Sequence, residues 1–280
     1  MLGKQDTLRA LQIALSLRRE LTQVLLLGLV ALPVSAADLA VVIDDVGYNK
    51  ARGLRAVTLP ASVTIAVLPF APHTQFLARQ TAEAGKDLII HQPMEPVPST
   101  HVRYETDTLT SAMSVQEFDA MVERALRAIP QTLGFSNHTG SFLTTQYGPM
   151  RRFMRHLSNR GLFFLDSRTT AATVTDKVAD ELGVTILRRD VFLDHDRSAV
   201  AIANAFQQAI RVARRKGSAV LVGHPYPVTL DFLESALLET PADINLVGIA
   251  TLAAKRRAAM HQAGLVRQSH PTSLRISLGQ

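Results

Sequence analysis

The segment Leu39-Ala40-Val41-Val42-Ile43-Asp44-Asp45 is an unbroken apolar run, rich in β-branched residues, that ends on two adjacent carboxylates. An apolar run that does not alternate is expected of a strand covered on both faces, and such strands belong to parallel sheets. The theme recurs along the chain at Val63–Leu68, Asp87–Ile90, Thr132–Phe135, Leu162–Leu165, Thr185–Leu187, Ala219–Val222 and Ile244–Ile249. Amphipathic stretches fill the intervals. Ser114 with Glu117 three residues on forms a capping box. Phe118, Val122, Ala125, Leu126 and Ile129 then share one helical face, and Pro130 ends it. Met150, Phe153, Met154 and Leu157 repeat the pattern before Gly161, as do Val200, Phe206, Ala209, Ile210 and Val212 before Gly217.

Strands and helices alternating through short connections predict an α/β fold with a parallel sheet and right-handed crossovers. Seven or eight such units in about 215 residues suit a closed or nearly closed barrel better than an open sheet, although periodicity alone fits both. The expected domain spans residues 37–254, with no second domain. Pro93 to Thr110 holds Pro93, Pro96 and Pro98 without helical period and reads as a loop crossing the top of the domain. Residues 255–280 read as a basic, partly disordered tail.

The ends of the chain account for its charge of +6. Residues 1–36 carry four basic and two acidic side chains, and residues 255–280 carry five basic and no acidic one, leaving 21 basic against 22 acidic for the body. A near-neutral body without a basic stripe excludes a nucleic-acid groove. The absence of cysteine excludes disulfides, thiolate zinc sites and cysteine nucleophiles. At the N-terminus, Arg18-Arg19 precede an apolar run from Leu21 to Val34, and Val34-Ser35-Ala36 offers small residues for cleavage. That run is shorter than the roughly 20 residues a membrane-spanning helix needs. Residues 1–36 are therefore read as a signal peptide that sends the protein to the periplasm or beyond, with no stable membrane span after cleavage.

The chemistry collects just after the strands. The apolar runs are followed by Asp44-Asp45, His91, Asn137-His138, Asp166-Ser167-Arg168, Asp190 with Asp194-His195, and His224. In parallel α/β folds the C-terminal strand ends converge on one face, which carries the site. Two adjacent carboxylates at a buried strand end repel each other unless a cation compensates them. Together with three histidines they point to a divalent metal. Imidazole and carboxylate ligands without thiolate suit zinc best, with cobalt, nickel and manganese as other candidates. His73, His101, His156, His261 and His270 lie on helical or polar stretches and read as solvated. Asp194, His195 and Asp196 read equally as a rim or as a charged loop.

Ile43-Asp44-Asp45-Val46-Gly47 resembles the opening motif of polysaccharide deacetylases, in which the first Asp is the base and the second binds metal. Val222-Gly223-His224-Pro225 resembles their closing motif, whose His is the general acid. With His91-Gln92-Pro93-Met94-Glu95-Pro96, Ser136-Asn137-His138-Thr139-Gly140-Ser141 and Leu165-Asp166-Ser167-Arg168-Thr169, the chain is similar to the divergent polysaccharide deacetylase family from about Asp38 to Leu252. The resemblance implies a deformed (β/α) barrel of about seven parallel strands. It implies a metal on Asp45, His91 and His138, with Asp44 as base and His224 as acid. Asp166 and Arg168 would orient Asp44 or His224. Asn137 and Ser141 would bind substrate hydroxyls or orient ligands, and Tyr226 would wall the cleft. The mainstream family carries two histidines four apart where this chain has His91 and Glu95, so the third ligand is His138 or Glu95. The mainstream Arg-x-Pro-Tyr motif is absent, and Arg168 could replace its arginine by pairing with Asp44. The implied function is metal-dependent removal of N-acetyl groups from an envelope polysaccharide or another acetylated glycan. The alternative is a barrel without catalysis that serves glycan binding or envelope assembly.

Overall fold

The computed structural model describes residues 36–60, 62–98 and 107–269, with side chains described as far as residue 262. Most of the expected signal peptide and the last residues of the chain lie outside the described residues. The elements run β1 (Ala37–Val46), α1 (Lys50–Thr58), β2 (Thr64–Val67), α2 (Thr74–Glu83), β3 (Leu88–Met94), α3 (Val115–Ala128), β4 (Gly134–Thr139), a 3-10 turn (Leu143–Thr145), α4 (Tyr147–Ser158), β5 (Phe163–Asp166), α5 (Thr175–Leu182), β6 (Ile186–Arg188), β7 (Val191–Phe192), α6 (Ala199–Lys216), β8 (Ser218–Gly223), α7 (Pro227–Ala236), β9 (Ile244–Leu246) and α8 (Ile249–Ser269). All the strands pair in parallel, in the order β6-β5-β4-β3-β2-β1-β8-β7, with β9 beside the start of β1. The result is the expected deformed barrel, a curled parallel half-barrel wrapped in helices. Its two edges are bridged at Arg189-Asp190, whose N–H groups donate to Asp166 O (3.0 Å) and Val220 O (2.9 Å) on opposite sides of the seam.

Alternation along the buried strands sorts their side chains into two layers. Leu39, Val41, Ile43, Ile90, Phe135, Phe164 and Leu221 face outward and pack with Phe153, Leu77 and Leu233 of the surrounding helices. Ala40, Val42, Ala66, Ile89, Leu165, Val220 and Val222 face inward and pack with Ile249, Leu252 and Ala253 of α8. The last helix thus supplies the floor of the barrel. Lys255 pairs with Asp38 at the start of β1. Arg257 donates to Gly161 O (2.8 Å) before β5 and to Thr185 Oγ1 (3.2 Å) before β6.

From residue 255 the chain continues as α8 to Ser269, with Lys255 and Arg257 reaching three strand starts, and residues 270–280 of the expected tail lie outside the described residues. The expected loop from Pro93 begins instead as the end of β3, where Pro93 and Met94 stand in register with His138 and Thr139. The capping box at Ser114 and Glu117 forms as read, and α3 ends at Ala128 with Ile129 as its C-cap. His156 is not simply solvated; it sits between Asp119 (2.9 Å) and Glu123 (2.8 Å) and ties α4 to α3. No helix among the described residues is long and apolar enough to cross a membrane.

Because Leu252 fills the inner layer at 5% exposure, Leu252→Ala is expected to cost about 2–4 kcal/mol through lost burial and a residual cavity. Urea unfolding of the two proteins measures the difference.

Candidate active site

Adjacent residues of a regular strand point to opposite faces, so Asp44 and Asp45 should not share one. The pairing of β1 with β2 shows how they do. Val42 and Ile43 stand opposite Thr64 and Ile65, yet Val46 stands opposite Val67, so one extra residue enters β1 between them. Asp45 takes a left-handed backbone there (φ 56°), and this bulge re-aims its carboxylate toward the mouth of the barrel. Gly47 follows at φ 147°, where a Cβ would meet Ala71 Cβ at 2.7 Å. The glycine lets the chain leave the strand closely packed on α2.

His91 has the inward parity of Ile89, and His138 that of Ser136. Asp45 Oδ1 lies 2.7 Å from His138 Nδ1 and 3.3 Å from His91 Nε2, and the two imidazole nitrogens are 3.3 Å apart. Three donors around one zinc at ~2.0–2.1 Å in tetrahedral array are separated by about 3.3 Å. The donor set, two imidazoles and a carboxylate, fits such an ion. Asp44 Oδ1 is buried without a hydrogen-bond partner, as expected of an oxygen that faces a cation. Ser136 Oγ is 2.7 Å from His91 Nδ1, which fixes the ring with Nε2 toward the other donors.

Asp44 and His224 flank this cluster. Asp44 is almost fully buried, with Oδ2 3.6 Å from His91 Nε2. Burial raises its carboxyl pKa, against the opposing charges of His91 and His224. Burial pushes Asp45 the same way, but hydrogen bonding to His138 and His91 and their charge outweigh it and hold Asp45 far below the usual carboxylate range. His224 Nε2 lies 3.7 Å from Asp45 Oδ2. Its Nδ1 is 2.8 Å from Asp194 Oδ1, and its backbone N–H donates to Asp194 Oδ2 (2.7 Å). Burial alone would lower the imidazole pKa, but the Asp194 hydrogen bond and the charges of Asp45, Asp194 and Asp44 outweigh it and raise it.

Residues 41–253 match the family described as divergent polysaccharide deacetylase. The chain belongs to that family. It is 36% identical over 220 residues to the uncharacterized protein YibQ of Escherichia coli K12, covering 79% of this chain and 68% of that one. It is 37% identical over 214 residues to an uncharacterized protein of Haemophilus influenzae, covering 76% of each. Among solved structures, an uncharacterized protein of Agrobacterium tumefaciens C58 shares the fold with a TM-score of 0.74 at 22% identity, covering 78% of this chain and 89% of that one.

Against the roles a divergent polysaccharide deacetylase would give them, the flanking residues divide. Asp45, His91 and His138 converge. Glu95 does not join them; its carboxylate accepts from Ser111 N–H (2.6 Å). Asp166 does not orient Asp44 or His224. It has the outward parity of Phe164, and its oxygens accept from Arg168 N–H (2.7 Å), Thr173 (2.9 Å) and Thr175 (2.6 Å), so it builds the loop after β5. Asn137, also outward, accepts from Ser167 N–H (2.9 Å) and donates to Thr139 O (2.7 Å), and is fully buried, which leaves nothing for a sugar hydroxyl. Ser141 Oγ accepts from Val97 N–H (2.9 Å) and pins the loop beyond β3. Arg168 does not stand in for the missing arginine: among the described residues no ion pair joins it to Asp44, whose Oδ2 lies nearest His91. Arg189 is the guanidinium that feels Asp44, and it is fixed by donating to Ser167 O (2.7 Å) and Arg168 O (3.1 Å). Tyr226 does wall the face, its ring 5.4 Å from His224 and its hydroxyl 2.8 Å from Arg197. The Phe192 ring stacks on His224 at 5.4 Å.

Asp45→Asn keeps a residue that tolerates the left-handed backbone while removing the charge that binds a cation. It is expected to lose metal with its circular dichroism unchanged. Equal metal content in the two purified proteins would eliminate Asp45 as a ligand.

Proposed function

We propose that this protein is a metal-dependent hydrolase that removes N-acetyl groups from a polysaccharide of the cell envelope. The observation that carries the reading is the convergence of Asp45 Oδ1, His91 Nε2 and His138 Nδ1 at 2.7–3.3 Å, with Asp44 and His224 on either side. Asp45, His91 and His138 would hold a divalent cation, zinc by donor type, which would supply Lewis-acid chemistry toward an amide carbonyl and a water. Asp44, with a pKa raised by burial, accepts the proton of the attacking water. His224, whose pKa is raised by the Asp194 hydrogen bond and the nearby carboxylates, would donate to the departing amine. Asp194 keeps Nδ1 occupied, so that Nε2 is the nitrogen presented to the face. Membership of the family supports a polysaccharide substrate. The N-terminal segment read as a signal peptide supports a place in the periplasm or outside the cell.

The reading of a barrel without catalysis drew on the missing second histidine of the mainstream motif. His138 stands where such a ligand is needed, which favours the hydrolase. Zinc-loaded protein is expected to release acetate from N-acetylated glycans. Asp44→Asn and His224→Ala should each lower the rate at least ~100-fold while retaining the metal. No acetate from a broad panel of acetylated glycans would favour the binding role. Asp194→Asn is expected to lower kcat more than it raises KM, because it disturbs the proton donor and leaves the substrate's contacts in place.

A further inference from the structure

The seam of the barrel holds a second polar cleft. Because the chain changes sides at Arg189-Asp190, β6 remains paired only to β5, and the first half of β8 has no strand beside it on this side. Between them lies a cleft of about 540 Å³, floored by Leu252 of α8. Its walls carry Arg168, Arg188, Arg189, Lys216 and Arg256 against one carboxylate, Asp190. Lys216 is paired with Asp190 (2.7 Å), which also accepts from Val220 N–H (3.0 Å), and Arg188 is paired with Asp176. Arg189 spends its donors on the carbonyls of Ser167 and Arg168. Among the described residues, neither Arg168 nor Arg256 has an ion-pair partner. Five cations thus share two carboxylates, and three guanidiniums, of which Arg189 is held by carbonyls alone, are left without a carboxylate around a space the size of a small ligand.

The backbone singles out Arg168. Its φ of 52° is a conformation that glycine favours, held by Asp166 Oδ1 accepting the Arg168 N–H at 2.7 Å. A long cationic side chain fixed on so unfavourable a backbone at the lip of a basic cleft is a residue placed for its charge.

We propose that the seam cleft binds a phosphate group, which Arg168 and Arg256 clasp from its two ends. Guanidinium forks match phosphate oxygens, and a dianion balances the surplus charge. The phosphate comes either as an ester on a sugar or as the free ion. The inference does not depend on hydrolysis, since binding alone tests it.

The probe is pyrophosphate, titrated calorimetrically into the full chain at low and at physiological salt. One site is expected. Arg168→Gly, which suits the left-handed backbone, and Arg256→Ser should each weaken binding at least tenfold, with thermal unfolding unchanged. Arg214→Ser serves as a control, because Arg214 pairs with Asp243 away from the cleft and its loss should leave binding unaltered. Absence of binding at millimolar pyrophosphate overturns the proposal. So does an equal loss in the Arg214 variant, which would mean diffuse attraction to a basic surface. N-acetylglucosamine 1-phosphate and inorganic phosphate, run as competitors, distinguish the sources: tighter binding of the ester identifies a phosphorylated sugar, and equal binding the free ion. Acetate release by the same variants keeps this outcome separate from that of the hydrolase.

Discussion

The site depends on a single inserted residue in β1. Without the bulge, Asp45 would point outward into the apolar layer beneath the helices, and Asp44 alone would face the mouth. With it, two carboxylates occupy one confined, poorly hydrated region, where their repulsion has to be offset. His91, His138 and His224 supply the offset, and each reaches it from a different strand. The burden falls unequally on the pair: Asp45 is stabilised as an anion by direct contact, while Asp44 stays buried and more basic. That division gives two neighbouring carboxylates opposite acid strengths without any difference in side-chain type.

Backbone strain gathers at the same rim. The described non-glycine residues with positive φ are Asp45, Thr139 and Arg168, each at the C-terminal end of a strand. For β-branched Thr139 the conformation is especially unfavourable. Its hydroxyl donates to Met94 O at 2.6 Å, and Gly140 follows where a Cβ would meet Met94 Cβ at 2.9 Å. The cost of each such residue, of order 1–3 kcal/mol, is met by the packed layers below. Those layers lock the strands that the rim residues terminate.

Strand-end placement was enough to find Asp44, Asp45, His91, His138 and His224, because an apolar run followed by an acid or imidazole is visible in the letters. It misassigned Asp166 and Asn137 because it ignored parity. Asp166 shares the parity of Phe164 and Asn137 that of Phe135, but an unalternating run does not show which face that is, and the structure puts it outward. Asp194 was left undecided because its strand, β7, has two residues and no apolar run to announce it. The choice of Arg168 over Arg189 turned on a left-handed residue, and only coordinates reveal where such a turn sends a side chain. The bulge itself carries no signature beyond the doubled aspartate. The helical course of residues 255–269 was not legible because a basic stretch looks solvated until the acid, hydroxyl and carbonyl groups that receive it are known.

The floor of the barrel has a bearing on how the molecule is made. β1 lies at the centre of the sheet, yet two of its neighbours, β8 and β9, and the helix beneath it come from the last quarter of the chain. A nascent chain that has produced every ligand through His138 still lacks the partners that seal its first strand. Cooperative closure must wait for the C-terminus to emerge. Until then the inner apolar residues stay open to water, so the early chain behaves as an unfinished vessel that cannot hold its rim in shape. Contacts this distant in sequence slow folding. The protein's geometry therefore becomes competent in a single late event, and removal of the final helix undoes the top of the barrel by way of its bottom.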